Sequence, residues 1–173
     1  MQMVKKMLGG SSIFLIFLLF FAPKEEIYYK IEQELQKNGI VISGEKFNDT
    51  LWGLSITDAD IYFKGIKIAK VKSLDLNIFF LYNRLLIEEI NTDRAIGEIV
   101  PRKIDNITAI FSILKPYKIA IDANGSFGEI SGGIYLNMNK LFIRVIKPKD
   151  INSFKGFLKK DTKGLYYEKF FNK

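Results

Sequence analysis

Between Tyr117 and Lys147 apolar and polar residues alternate across two turn signals, and that pattern restricts the chain to antiparallel β-structure. Asn124-Gly125 suits a two-residue type I′ turn, which needs positive φ at both positions. A turn there pairs Ala123 with Ser126, Ile121 with Gly128, Ile119 with Ile130 and Tyr117 with Gly132. A second turn at Asn139-Lys140 pairs Met138 with Leu141, Leu136 with Ile143 and Ile134 with Val145. The two registers agree in parity, as a specified sheet requires. They place Ile119, Ile121, Ile130, Ile134, Leu136, Met138, Leu141, Ile143 and Val145 on one face. Lys118, Asp122, Glu129, Asn137 and Arg144 fall on the other, with Phe127, Phe142 and Ile146 as apolar exceptions. Such a face is either a closed core or an open groove for acyl chains or a partner.

The earlier half reads the same way. Lys64-Gly65 turns a hairpin that pairs Phe63 with Ile66 and Ile61 with Ile68. Leu74, Leu76 and Ile78 alternate with Asp75 and Asn77, and Phe79 to Asn83 bends the chain before a strand from Leu85 to Ile90. Helices are expected around this body. Ile27, Tyr28, Ile31 and Leu35 have helical spacing, stopped by Asn38-Gly39. Ile104, Ile107, Ile110, Phe111 and Leu114 have it between Pro101 and Pro116. Pro148 and Asp150 open a short helix carrying Ile151, Phe154 and Leu158. A final strand covers Leu165 to Phe171.

The N-terminus sets the compartment. Lys5-Lys6 precede an apolar stretch from Met7 to Ala22, unbroken from Ile13 to Ala22 and followed by Pro23. A positive flank and an apolar run make an export signal or a membrane anchor. About 16 residues at about 1.5 Å each cover roughly 24 Å, short of a bilayer core of roughly 30 Å. The residues around Ala22 suit signal cleavage poorly, since Phe20 stands where a small residue belongs and Pro23 follows the cut. We therefore expect an uncleaved anchor over 1–23, a stalk helix over 24–39 and a β-rich domain over 40–173. Lys5 and Lys6 place the N-terminus in the cytoplasm, so the domain is expected on the far side of the membrane.

The chain has no cysteine and no histidine. No disulfide can form, the usual neutral-pH general base and the commonest metal ligand are missing, and the carboxylates show no recognisable spacing. No catalytic residue, metal ligand or cofactor site is assigned. The whole net charge of +7 sits in residues 140–173, with ten Lys/Arg against three Asp/Glu. Lys147, Lys149, Lys155, Lys159 and Lys160 are the candidate contacts to an anionic surface such as lipid headgroups. They read equally well as a solvated surface, and a chain routed across a membrane is not expected to meet nucleic acid. Asn48, Asn106 and Asn124 begin glycosylation triplets, read as chance. Glu88-Glu89 reads as a solvent-exposed edge with side chains on opposite faces, and Trp52 as core.

The runs Thr50–Gly65 and Val71–Ile90 resemble the opening module of AsmA-like envelope proteins and of the type II secretion system protein N. Gly125-Ser-Phe-Gly-Glu-Ile-Ser-Gly-Gly-Ile134 looks like a glycine-spaced segment of the latter. The resemblance implies a bacterial inner-membrane protein with its main domain in the periplasm and a mainly β fold: one N-terminal transmembrane helix plus an antiparallel, curved, taco-like sheet with peripheral helices. It implies a non-enzymatic accessory role in a secretion system, with other envelope proteins as partners. The alternative it implies is a lipid-binding bridge similar to the lipopolysaccharide-transport protein C, with lipid as partner.

Overall fold

The computed structural model describes residues 24–50, 53–79, 81–93, 100–152 and 154–171. The expected anchor over 1–23 and Trp52 lie outside them. The described chain is mainly β: one helix, then eleven strands in a single open antiparallel sheet.

Helix α1 (Lys24–Lys37) carries Glu25 and Glu26 in its first turn and Lys37 in its last, each complementing the helix dipole. Gly39, at φ 78°, ends it in the left-handed conformation that glycine adopts without strain. The Asn38 side chain donates to the Glu34 carbonyl at 2.9 Å, satisfying an acceptor the helix leaves free. The strands follow as β1 (Ile40–Ser43), β2 (Lys46–Thr50), β3 (Gly53–Phe63), β4 (Ile66–Phe79), β5 (Tyr82–Thr92) and β6 (Lys103–Ser112). After them come β7 (Lys118–Gly125), β8 (Gly128–Tyr135), β9 (Lys140–Pro148), β10 (Lys159–Asp161) and β11 (Gly164–Phe170). From β3 to β9 each strand pairs with the next. β1 and β2 lie end to end along the outer side of β3, and β11 inserts between β9 and β10.

Three expectations are corrected. Residues 104–114 form no helix: Ile104 to Phe111 belong to the central strand β6, and Leu114 is 88% exposed in the following turn. Between Pro148 and β10 the one helical element among the described residues is a 3-10 turn, Lys155–Phe157. Both late hairpins are also shifted. β7 and β8 turn at Ser126-Phe127 and pair Ala123 with Ile130 and Ile121 with Gly132. β8 and β9 pair Ile134 with Leu141 and Gly132 with Ile143. Turning two residues later lets Phe127 fold onto the sheet, where it is 4% exposed. That burial outweighs the intrinsic preference of Asn-Gly for a type I′ turn, so Asn124 is a strand residue opposite Glu129. The Lys64-Gly65 turn is type I′, with φ of 48° and 82°. It pairs Phe63 with Ile66, but a bulge then sets Ile61 opposite Ala69.

Directly opposed residues share a face, so the registers define apolar rows across the sheet. One runs Phe47, Ile56, Leu74, Ile87, Ile107, Ala123, Ile130, Val145. Above it lies Ala59, Val71, Ile90, Ile104. Between these two rows each strand carries one extra residue: Asp58 in β3, Lys72 in β4, Glu89 in β5 and Asp105 in β6. Gly44-Glu45 fills the same level between β1 and β2. From β1–β2 to β6 the register is preserved across this crease while the apolar parity switches. The crease ends in a bulge between β6 and β7. Asp58 and Glu89 stand in the left-handed region, at φ 61° and 50°. The crease charges pair on the polar side: Lys46 and Lys70 with Asp58 at 3.6 and 3.7 Å, Lys103 with Asp105 at 2.9 Å, and Lys72 with Glu89. Glu88 accepts from Ser73 at 3.1 Å. Glu88 and Glu89 therefore both serve the polar side, on an interior strand and not an edge.

Candidate functional site: a partly covered apolar sheet face

Burial on the apolar face is graded. The core gathers Leu54, Ile56, Ala59, Ala69, Val71 and Ile90 under Tyr28 of α1. The Tyr28 ring meets Phe47 edge-on at 5.1 Å, and its hydroxyl donates to Glu45 at 3.4 Å. Burial, then the nearby Glu45 and Glu32 carboxylates, raise the pKa of this hydroxyl well above the usual tyrosine range. A second cover lies over β7 and β8, where Phe127 meets Phe154 edge-on at 6.3 Å. Lys149 and Asp150 pin this strap through backbone bonds from their N–H groups to the carbonyls of Phe127 and Ser126, at 2.9 and 3.2 Å.

Beyond these covers the face is open. The next row is Leu54, Leu76, Leu85, Ala109, Ile121, Gly132, Ile143, Tyr167. The last is Ile78, Asn83, Phe111, Ile119, Ile134, Leu141. From β4 onward the residues of both rows are half-buried, and among the described residues no helix or second sheet lies over them. The structure thus brings Ile119, Ile121, Ile130, Ile134, Leu141, Ile143 and Val145 onto one face. Leu136 and Met138 do not join it. They sit in a 3-10 turn closed by Asn139 at φ 48°, and are 44% and 59% exposed.

Helix α1 is oriented along this face. At its C-terminal end the Gly39 carbonyl accepts from Lys64 in the β3–β4 turn at 2.8 Å. Nine residues earlier along the helix than Lys37, Tyr28 lies beside Phe47, on the far side of the crease. Its N-terminus therefore points toward the open rows.

The five candidate lysines form no single patch. Lys147 pairs with Glu129 at 2.9 Å and Lys159 with Glu168 at 3.7 Å, both on the polar side. Lys160 opposes Leu165 and so faces away from its neighbour Lys159. Lys149 and Lys155 are exposed around the Phe154 strap.

The sequence reading missed the aromatic–cation cluster on the polar face of β9–β11. Phe142 stacks on Tyr166 at 5.5 Å, with Arg144 over both rings at 5.3 and 5.6 Å. Lys140 lies over Phe142 and Phe170 at 5.4 and 5.3 Å and pairs with Glu168. Arg144 holds Asp161 by two bonds of 2.8 Å, and the Lys163 backbone adds a third at 2.8 Å. The guanidinium bonds lead in lowering the Asp161 pKa to about 2, and the Lys140 bond lowers that of Glu168. The signal was present in Lys-x-Phe-x-Arg of β9 facing Tyr-x-Glu of β11, but it needs their pairing to be read. These cations are already neutralised, so the cluster fastens β11 and β10 to the sheet. Among the described residues no group of three acidic side chains gathers to hold a metal ion.

Comparison with family models, with curated proteins and with solved structures finds no match. Among the described residues no helix is long and apolar enough to cross a membrane.

Proposed function

We propose that this chain is a non-enzymatic, membrane-tethered envelope module whose open apolar rows carry lipid acyl chains. The observation that carries the reading is the continuity of those rows: an apolar surface spanning β4 to β9 with, among the described residues, no second layer over it. A partly exposed apolar surface of this extent is a candidate interaction site. The orientation of α1 adds support, because its N-terminal end points toward the open rows. In this reading Ile13–Ala22 is the anchor, the domain is periplasmic, and the crease gives the sheet its curvature, since extra residues bend the strands that carry them.

The accessory secretion role rests on the same resemblance, and its natural mechanism is strand addition at a sheet edge. Both edges are poorly suited to it. β10 has three residues, Lys159, Lys160 and Asp161, and the β1–β2 edge is broken at Gly44-Glu45. Short, charged and interrupted edges resist pairing. Docking through the apolar face is therefore favoured.

The test is lipid analysis of the full chain extracted in native-membrane discs. Ile121→Asp and Ile143→Asp are expected to deplete bound lipid while the β-signal persists, and Leu136→Asp, in the exposed turn, is expected to leave it unchanged. Unchanged lipid content in folded Ile121→Asp and Ile143→Asp chains refutes the reading.

A further inference from the structure

The strap over β7 and β8 borders an open pocket with a character of its own. Ile104, Ile107, Ala123 and Ile130 form its floor, Phe127 and Phe154 its lid, and its volume is about 240 Å³. Every one of these side chains is apolar. At the ~30 Å³ of a water-sized group the space holds roughly eight carbon positions of an extended chain. Its floor row abuts the open row of Ala109, Ile121 and Gly132, so a longer chain continues from the pocket onto the open face.

Basic residues flank the pocket's lining in sequence. Pro101 lines it beside Arg102, Phe154 lies beside Lys155, and Lys149 is bonded to the Phe127 carbonyl. Arg102, Lys149 and Lys155 are exposed, and none forms an ion pair among the described residues. Lys103 is already held by Asp105, and Asp150 is the one acidic neighbour on the strap. An apolar slot whose strap and entry to β6 carry exposed cations next to its lining residues complements one chemistry: a hydrocarbon chain ending in an anion.

Resting on the acyl-chain reading above, we infer that the Phe127–Phe154 pocket seats the headgroup-proximal part of one acyl chain of an anionic membrane phospholipid. Arg102, Lys149 and Lys155 meet its phosphate. The remainder of the chain follows the open rows.

The probe is dodecyl phosphate carrying a diazirine near mid-chain, photolysed with the full-length protein in phosphatidylcholine discs and mapped by mass spectrometry. Saturable labelling is expected on the peptides bearing Phe127, Ile130 and Phe154. The matching dodecanol probe should label at least tenfold more weakly. The exposed triple variant Arg102→Glu, Lys149→Glu, Lys155→Glu should lose that tenfold preference without unfolding, and Phe154→Ala should weaken both probes. Phosphatidylglycerol vesicles should compete, and phosphatidylcholine vesicles should not. Labelling confined to Ile121 and Ile143 peptides, indifferent to the triple variant, overturns the pocket and leaves the open-face reading intact. Equal competition by the two vesicles overturns the anionic class, and no specific labelling anywhere overturns both readings.

Discussion

Tyr28 is where the helix is joined to the sheet, and truncating it tests that joint. The residue is 4% exposed and lies in the cluster with Leu54 and Ile56. An aromatic ring buries on the order of 200 Å², which at about 25 cal/mol per Å² sets an upper bound near 5 kcal/mol. The edge-on contact with Phe47 adds about 0.5–1.5 kcal/mol, and partial collapse of the site returns some of the loss. Tyr28→Ala should therefore cost about 3–5 kcal/mol. With an m-value of about 2 kcal/mol/M in urea, the unfolding midpoint falls by about 2 M. The adjacent Tyr29, 49% exposed, supplies the control, and Tyr29→Ala should cost under about 1 kcal/mol. Tyr28→Phe removes only a long hydroxyl–carboxylate contact and should cost about 0.5–1 kcal/mol. It should also remove an alkaline sensitivity. The folded state holds the Tyr28 proton well above pH 10.0, the ordinary tyrosine value at which the unfolded chain releases it. Native stability therefore declines above that pH, and the variant's declines less. Equal midpoints for Tyr28→Ala and Tyr29→Ala refute the docked helix.

Other expectations concern the crease, the sheet centre and the far edge. Glu89 holds φ 50° in an interior strand, so Glu89→Gly, relieving a left-handed strain of about 1–2 kcal/mol, should leave urea stability unchanged or slightly raised. Glu88→Gly, in ordinary strand geometry, should lose about 1 kcal/mol; the reverse order sinks the crease assignment. A Cβ on Gly132 would lie 2.0 Å from the Phe142 carbonyl oxygen, whereas one on Gly156 meets nothing within 4 Å. Gly132→Ala should thus cost about 2–3 kcal/mol in thermal or urea unfolding and Gly156→Ala under about 0.5 kcal/mol. The Asp161 pKa of about 2 lies below the ordinary aspartate value of 3.8, so its contribution is full above about pH 4 and fades as pH falls toward 2. The gap in urea midpoint between the native chain and Asp161→Asn should close over that interval, and Arg144→Gln should abolish the closing.

Much of the β-structure was legible because alternation survives errors of register. Both late hairpins turn two residues away from where the turn signals put them, yet an even slip keeps every strand residue on its own face. Ile119, Ile121 and Ile143 therefore share a side under either register. Leu136 and Met138 were lost because the chain leaves β8 at Tyr135, and nothing local marks that exit except Asn139, a residue tolerant of positive φ. The Phe127–Phe154 contact was not legible at all. Phe127 reads as a misplaced apolar residue on a polar face until the turn shifts and aims it at a strap more than twenty residues away.

The expected helix over 104–114 failed for a different reason, and the crease supplies it. An extra residue in each strand converts apolar spacing of two into spacing of three at one level of the sheet. Ile56 and Ala59, Val71 and Leu74, Ile87 and Ile90, Ile104 and Ile107 all repeat at i, i+3, with a charged residue inside each interval: Asp58, Lys72, Glu89, Asp105. Taken singly, Ile104–Ile107 looks like a helical face. Taken with the other three, the same spacing recurs once in each of four consecutive strands, which no single helix explains. The charge inside every interval belongs on the wet side of a sheet, where it finds a counter-charge, as Lys72 does in Glu89 of the neighbouring strand and Asp105 in Lys103 of its own. Matching the insertion in adjacent strands is what keeps their hydrogen-bonding register, so one strand cannot drop its extra residue alone. Deleting Glu89 would throw Ile90 onto the polar side against Val71 and Ile104, whereas the crease lets both halves of each strand present apolar side chains to the same face.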